Sequence, residues 1–301
     1  MKKLTGFLIF LMIFGNVFFK NHNAIAAISD EQAHEIVFNG TPDDVKKLLQ
    51  SGYDVNKVYL CSTLLNEAVR SSARGKNAQR YPTYALEKIK VLIDAGANIN
   101  EIPCPDFSMP ALHWAVTLPQ ELKYLEIDAN KIIDEKIKNN IGECNFSGIV
   151  SKPCGSVTPE EREKIRIAIK DAMKLAYSTF IPYFMEIIDF LVKNGADINT
   201  KAGTLGTAPL HIAATNPQEI TLEPLQYLVK VGANLNIQDR DGNTPLFWAY
   251  SLNNNRAVDI LIKAGANKEI TNKKGITYKD VEGKRIRGFM DVQGNMIFNE
   301  F

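Results

Sequence analysis

The sequence predicts an all-α fold, a solenoid of stacked helix pairs with projecting loops. Two observations carry that prediction: a twelve-residue phrase that returns five times with glycine at its eighth place, and a second phrase that precedes four of those returns. A third supports it. With 45% hydrophobic and 23% charged residues in 301, the composition is that of a globular chain able to bury a sizeable core.

The chain opens, outside the repeats, on a stretch that reads as a secretory signal. Lys2 and Lys3 precede an apolar run from Leu4 to Phe19, and Ala24-Ile25-Ala26 fits the small-residue pattern that a signal peptidase accepts. Cleavage after Ala26 is expected. The alternative is an uncleaved anchor, although about 16 apolar positions fall short of the roughly 20 that a span needs. No later segment is expected to cross a membrane. Lysine and arginine number 35 against 34 for aspartate and glutamate, so the net charge of +1 offers no footprint for a nucleic acid. The lysine-, asparagine- and isoleucine-rich text suggests a bacterial source.

The first phrase runs VKKLLQSGYDVN from Val45, IKVLIDAGANIN from Ile89, IDFLVKNGADIN from Ile188, LQYLVKVGANLN from Leu225 and VDILIKAGANKE from Val258. Each begins with apolar residues at helical spacing and closes at a glycine able to take the left-handed backbone that ends a helix. The second phrase, STLLNEAV from Ser62, MPALHWAV from Met109, APLHIAAT from Ala208 and TPLFWAYS from Thr244, opens the partner helix. Proline is tolerated there because a first-turn N–H has no intrahelical acceptor, and Thr244 can cap the exposed donors. Ala68, Ala115, Ala213 and Ala249 let neighbouring helices approach closely.

Together the phrases resemble the ankyrin-repeat family over roughly residues 27–281. The resemblance implies about five repeats plus a partial C-terminal unit at 271–281, stacked to bury one core and to leave a concave binding face. It also implies that His113 and His211, in the family's Pro-Leu-His position, are structural and hydrogen-bond within and between units. Trp114 and Trp248 read as packing rather than ligand-binding residues.

The phrase glycines lie 44, 99, 37 and 33 residues apart, whereas the family period is about 33. Insertions are therefore expected at about 71–84 in the second unit and 117–183 in the third, each between the two helices of its unit. In the longer one, Thr158-Pro159-Glu160-Glu161 predicts a capped helix over about 159–177, and an earlier apolar stripe predicts another over about 120–138. These are either separate helices or extensions of the unit's own. The tail 282–301 reads as a β-hairpin about Gln293-Gly294-Asn295, a packed or frayed tail being the alternative. Its Lys284, Arg285 and Arg287 read as a solvated face.

No phosphate-cradling glycine loop, Gly-x-Ser-x-Gly turn or cysteine–histidine company occurs, and His22, His34, His113 and His211 lack metal-ligand spacing. No catalytic residue, metal or cofactor is assigned. The chain reads as a non-catalytic scaffold, exported and monomeric, that binds a protein partner, a host protein among the candidates. The competing reading is an enzyme whose site the 117–183 insertion supplies. The partner-binding candidates, taken from the loops after each phrase, are Lys57, Tyr59, Glu101, Phe107, Lys201, Gln238 and Arg240; Tyr59 and Arg240 lead because those residue types are frequent interface hot spots. Cys61, Cys104, Cys144 and Cys154 permit two disulfides in an exported chain. Equivalent places in successive units bring Cys61 to Cys104, and one loop holds Cys144 and Cys154. Four buried thiols are the alternative.

Overall fold

Each phrase folds as a helix, and the helices pair off along the chain. α1 (Asp30–Asn39) and α2 (Pro42–Gln50) form the first pair, α3 (Leu64–Arg74) and α4 (Thr83–Asp94) the second, and α5 (Ala111–Lys138) and α6 (Pro159–Lys193) the third. α7 (Pro209–Thr215) with α8 (Glu223–Lys230) and α9 (Pro245–Ser251) with α10 (Asn255–Lys263) follow. The structure is a computed structural model describing residues 28–74, 83–139, 143–146, 150–216, 222–281, 286–290 and 296–300. The expected signal at 1–26, the 75–82 part of the shorter insertion, and Lys284 and Arg285 lie outside the described residues.

Local chemistry fixes the helix ends. Ser29, Thr41 and Thr158 each accept the backbone N–H three residues on, and Gln32, Asp44 and Glu161 reach back to the cap, so two orphan donors are satisfied at each start. The phrase glycines take φ between +86° and +98°, the left-handed conformation that a Cβ would strain. At the end of α1 the carbonyls of Val37 and Phe38 accept from Lys88 Nζ at 2.7 and 3.3 Å. Burial pushes that lysine's pKa down to about 8.

A seven-residue helix such as α7 cannot hold itself in water, so packing must hold it. The first helices of the pairs stack in one row, α1 on α3 on α5 on α7 on α9, and the second helices stack in another, α2 on α4 on α6 on α8 on α10. Between the rows runs a single core from Ala33 and Val37 to Leu261. Ala68, Ala115, Ala213 and Ala249 are fully buried where the first helices meet, and Leu210 is 1% exposed. A 3-10 turn (Tyr278–Val281) closes on α9, with Tyr278 edge-on to Tyr250 at 5.2 Å.

Side chains stitch neighbouring units at two heights. His113 Nε2 meets the Thr207 carbonyl at 2.9 Å, and His211 Nε2 the Asn243 carbonyl at 3.0 Å. Asn66, at the same place in the second pair, makes the equivalent bond to the Met109 carbonyl at 3.0 Å. At the loop end, the last asparagine of each of the first four phrases bonds the next unit. Asn56 Oδ1 accepts from Asn98 N, Asn100 Oδ1 from Asp197 N, Asn199 Oδ1 from Asn234 N, and Asn236 Oδ1 from Asn267 N, all at 2.8–2.9 Å.

In the third pair, the segments expected at 120–138 and 159–177 are parts of α5 and α6, which run unbroken through Pro119 and Pro182. Each proline removes one helical hydrogen bond, and the surrounding packing carries the helix past it, so of the two alternatives the extension of the unit's own helices holds. The two helices pack along each other, and a hairpin of β1 (Glu143–Phe146) and β2 (Val150–Pro153) joins them. The Cys144–Cys154 disulfide crosses that hairpin with Cα atoms 4.8 Å apart, and with Ile165 it forms a second, smaller core against Ile137, Val157 and Ile169. The expectation that no later segment could span a membrane is corrected on length and composition: α6 is long and apolar enough. Its C-terminal half nonetheless inserts Phe184, Ile187, Ile188 and Leu191 into the stack core. In the tail, β3 (Ile286–Met290) and β4 (Met296–Glu300) pair antiparallel.

Candidate protein-interaction site

The loops between units carry the exposed chemistry. After α2 the chain makes a minimal hairpin, Val58–Tyr59 pairing with Ser62–Thr63, whose two-residue turn is Leu60–Cys61. Both turn residues lie in the left-handed region, φ +46° and +59°, where glycine or asparagine is usual. Leu60 is 81% exposed. Cys61 is bonded to Cys104 in the next loop, Cα atoms 5.3 Å apart. There Phe107 N and Ser108 N both donate to the Cys104 carbonyl at 2.9 and 2.8 Å, and Cys104 N donates to Ser108 Oγ at 2.9 Å. That turn leaves Phe107 68% exposed.

Further along, one arginine ties three loops. Arg240 Nη2 meets Asp106 Oδ1 at 2.6 Å, and Nη1 donates to the Thr204 carbonyl at 2.8 Å. Thr204 Oγ1 in turn donates to the Asp106 carbonyl at 2.9 Å. The arginine stem lies so close to Gly206 that a Cβ there would sit 2.8 Å from its Cγ. Lys201 Nζ donates to the Gln238 carbonyl at 3.2 Å, and Gln238 Nε2 donates to the Gly242 and Thr271 carbonyls.

Five of the seven candidates thus hold other parts of the protein by hydrogen bond or ion pair: Lys57 faces Asp30 at 3.9 Å, and Glu101 accepts from Asn98 at 2.8 Å, beside Lys201, Gln238 and Arg240. Two are not exposed as expected. Tyr59 is half-buried because its ring lies against His34, centroids 5.4 Å apart, and Glu101 is half-buried at the loop base. Leu60, the exposed residue of this turn, was not among the candidates, since Tyr59 was chosen for its residue type and nothing in the letters Leu-Cys announces a left-handed turn.

A second polar cluster lies where the first three units meet. His34 Nδ1 stands 3.8 Å from Glu67 Oε1, Arg70 reaches the same carboxylate at 3.3 Å, and the Arg70 guanidinium lies 4.9 Å from the Trp114 ring centroid. Burial alone would raise the Glu67 pKa; hydrogen bonding from His34 and the Arg70 charge outweigh it and hold the carboxyl below its ordinary range. Burial drives the pKa of both His113 and His211 down to about 4, so each stays neutral as a stitch. They differ at the other ring nitrogen. Ala208 N donates to His211 Nδ1 at 3.1 Å, whereas the matching residue before His113 is Pro110, which has no N–H, and His113 Nδ1 is buried without a hydrogen-bond partner. Trp248 is buried, and its indole donates to Asp239 at 2.8 Å. In the long arm, burial would raise the Asp134 pKa, but its bonds to Arg162 and Arg166 hold it below the usual range.

The family model for ankyrin repeats matches residues 176–272 in three copies. That third of the chain carries ankyrin repeats. Curated relatives agree over limited stretches: the chain is 31% identical over 98 residues to ankyrin repeat and SOCS box protein 6 of Pongo abelii, covering 31% of this chain and 23% of that one. It is 38% identical over 89 residues to human palmitoyltransferase ZDHHC13, covering 29% and 13%. The chain therefore spans less than a quarter of the length of these relatives. Among solved structures, a chain from the complex of a predatory endopeptidase with an immunity protein, from Bdellovibrio bacteriovorus, matches at TM-score 0.51 over 84% of this chain and 91% of that one, with 19% identity. That likeness is one of fold.

Proposed function

We propose that this protein is a non-catalytic ankyrin-repeat scaffold that binds one partner protein through its loop tips and the adjoining concave face. In this reading it comprises about five repeats and a partial C-terminal unit, with the third repeat lengthened by the 117–183 insertion. The observation that carries the reading is the treatment of the loops: a disulfide and an arginine cross-tie hold them, and they present large apolar side chains to water at Leu60 and Phe107. Rigid loops that display apolar anchors lose little entropy on binding. Phe107 and Leu60 head the contact residues in this proposal, and Lys57, Tyr59, Glu101, Lys201, Gln238 and Arg240 frame or position them.

We also propose that the protein acts outside the cytoplasm of a bacterium, as a monomer, after loss of residues 1–26. Two disulfides suit an oxidising compartment. The partner class we favour is another exported protein, a host protein or an enzyme of the same cell; the structural neighbour's complex with an endopeptidase motivates the latter. The test is affinity capture on the purified protein from envelope and host fractions, with Leu60→Asp and Phe107→Asp as controls. Equal capture by wild type and both variants would sink the loop-tip assignment. N-terminal sequencing of the native protein tests export: an intact Met1 would refute it.

A further inference from the structure

We propose that the Cys61–Cys104 disulfide is a redox-sensitive clamp that holds the Leu60–Cys61 turn left-handed and so fixes the display of Leu60 and Phe107. The starting point is the turn. A two-residue hairpin loop with both φ values positive matches strand twist, and it normally uses glycine or asparagine because other side chains crowd the backbone there. Here leucine and cysteine occupy it at +46° and +59°. The strands beside it, Val58–Tyr59 and Ser62–Thr63, are two residues each, too short a ladder to impose that conformation. What remains is the covalent bond from the second turn residue to the neighbouring unit.

The other end of the bond supports the same reading. Cys104 is the anchor of the tight turn that ends at Ser108, through its carbonyl to Phe107 N and Ser108 N and its N–H to Ser108 Oγ. One cross-link therefore sits beneath both exposed apolar tips. It is also partly solvent-accessible, with Cys61 and Cys104 both half-buried, whereas Cys144 and Cys154 are 3% and 0% exposed beside Ile165. A dithiol should thus reach the first bond before the second. In that step a dithiol thiolate attacks one sulfur, the Sγ–Sγ bond breaks to leave a mixed disulfide and one cysteine thiolate, and the reagent's second thiolate attacks its own sulfur in the mixed disulfide, expelling the other cysteine thiolate. The two electrons come from the dithiol, which closes to a cyclic disulfide, and its two protons end on the Cys61 and Cys104 thiols.

That Leu60 and Phe107 contact a partner rests on the reading under Proposed function; the clamp does not, and its test uses no partner. The full chain is treated with graded dithiothreitol, free thiols are mapped by alkylation, and amide hydrogen exchange is followed over residues 58–63 and 104–108. The expected result is alkylation of Cys61 and Cys104 first, with exchange in both segments faster by on the order of tenfold and the helices unchanged. Cys61→Ser with Cys104→Ser should reproduce the reduced pattern. Cys61→Gly with Cys104→Ser should restore slow exchange at 58–63 alone, because glycine accepts the left-handed turn without help. Unchanged exchange in both segments, earlier alkylation of Cys144 and Cys154, loosening spread over the whole stack, or failure of the glycine rescue would each overturn the proposal.

Discussion

Replacing Leu210 by alanine probes whether the two helix rows share one core. Leu210 is 1% exposed in the middle of α7, a helix of seven residues of which six are buried. The change deletes three carbons, about 2.4 kcal/mol at roughly 0.8 per buried methylene, and leaves a cavity. α7 is held by α5, α8, α9 and α10, so collapse into the space would require four helices to move together. The total should therefore fall in the upper part of the usual range of about 2–5 kcal/mol. Leu60→Ala is the internal control: at 81% exposure it should change stability by less than about 0.5 kcal/mol. The assay is urea unfolding followed by far-ultraviolet circular dichroism, with midpoint and slope both fitted. A smaller slope for Leu210→Ala would mean that the end units melt separately once the centre is damaged. A midpoint shift no greater than that of Leu60→Ala would refute the placement of the core.

Three further outcomes are expected. Pro110→Thr should supply His113 Nδ1 with the donor that His211 receives from Ala208; satisfying a buried acceptor is worth about 1–3 kcal/mol and losing proline stiffness costs about 0.4–1, so thermal stability should rise, and a lower melting temperature would contradict the account of that orphan atom. His113 and His211 titrate near 4 when folded and about 6.5 when unfolded, so between those values the unfolded chain binds more protons. Stability should be full above about pH 6.5 and fall toward pH 4 by up to about 3 kcal/mol per histidine, and His211→Asn, which keeps a donor as Asn66 does, should flatten the slope in urea titrations at several pH values; an identical slope in the variant would argue against burial as its cause. Asn100→Ala removes two bonds to the third unit, to Gly195 O and Asp197 N, and should cost about 1–2 kcal/mol, visible as faster hydrogen exchange in α3 and α4; exchange equal to wild type there would discount the stitch.

The repeats were legible because their signals are local. A glycine that ends a helix and an alanine where helices touch are chosen by the backbone at that point, so the text records them. The long arm was half legible: the Thr158–Glu161 cap could be read, whereas separate helices and extensions of the unit's own stayed open, because the packing that carries α5 and α6 through Pro119 and Pro182 is not recorded in the letters. The loop candidates were legible as positions, whereas the cross-ties that several of them make were not. Arg240 is bonded to a residue 134 places away, and no local pattern announces such a partner. Pairing of Cys61 with Cys104 came within reach only through the repeat, which makes distant residues equivalent.

The Asn100 stitch also bears on how such a chain can change. Its two bonds join residues 95 and 97 apart, while the matching bonds elsewhere join residues 31 to 42 apart. Closing the longer detour costs only about 0.9 kcal/mol more on the logarithmic dependence of loop entropy on length. The contact recognises backbone atoms of Gly195 and Asp197 and is indifferent to what lies between. This seam is therefore a point at which the molecule tolerates growth: beyond Leu118 and Gln120, which pack on and bond the next unit, and before Ile181 in the core, the arm can differ in length while the units on either side still find each other.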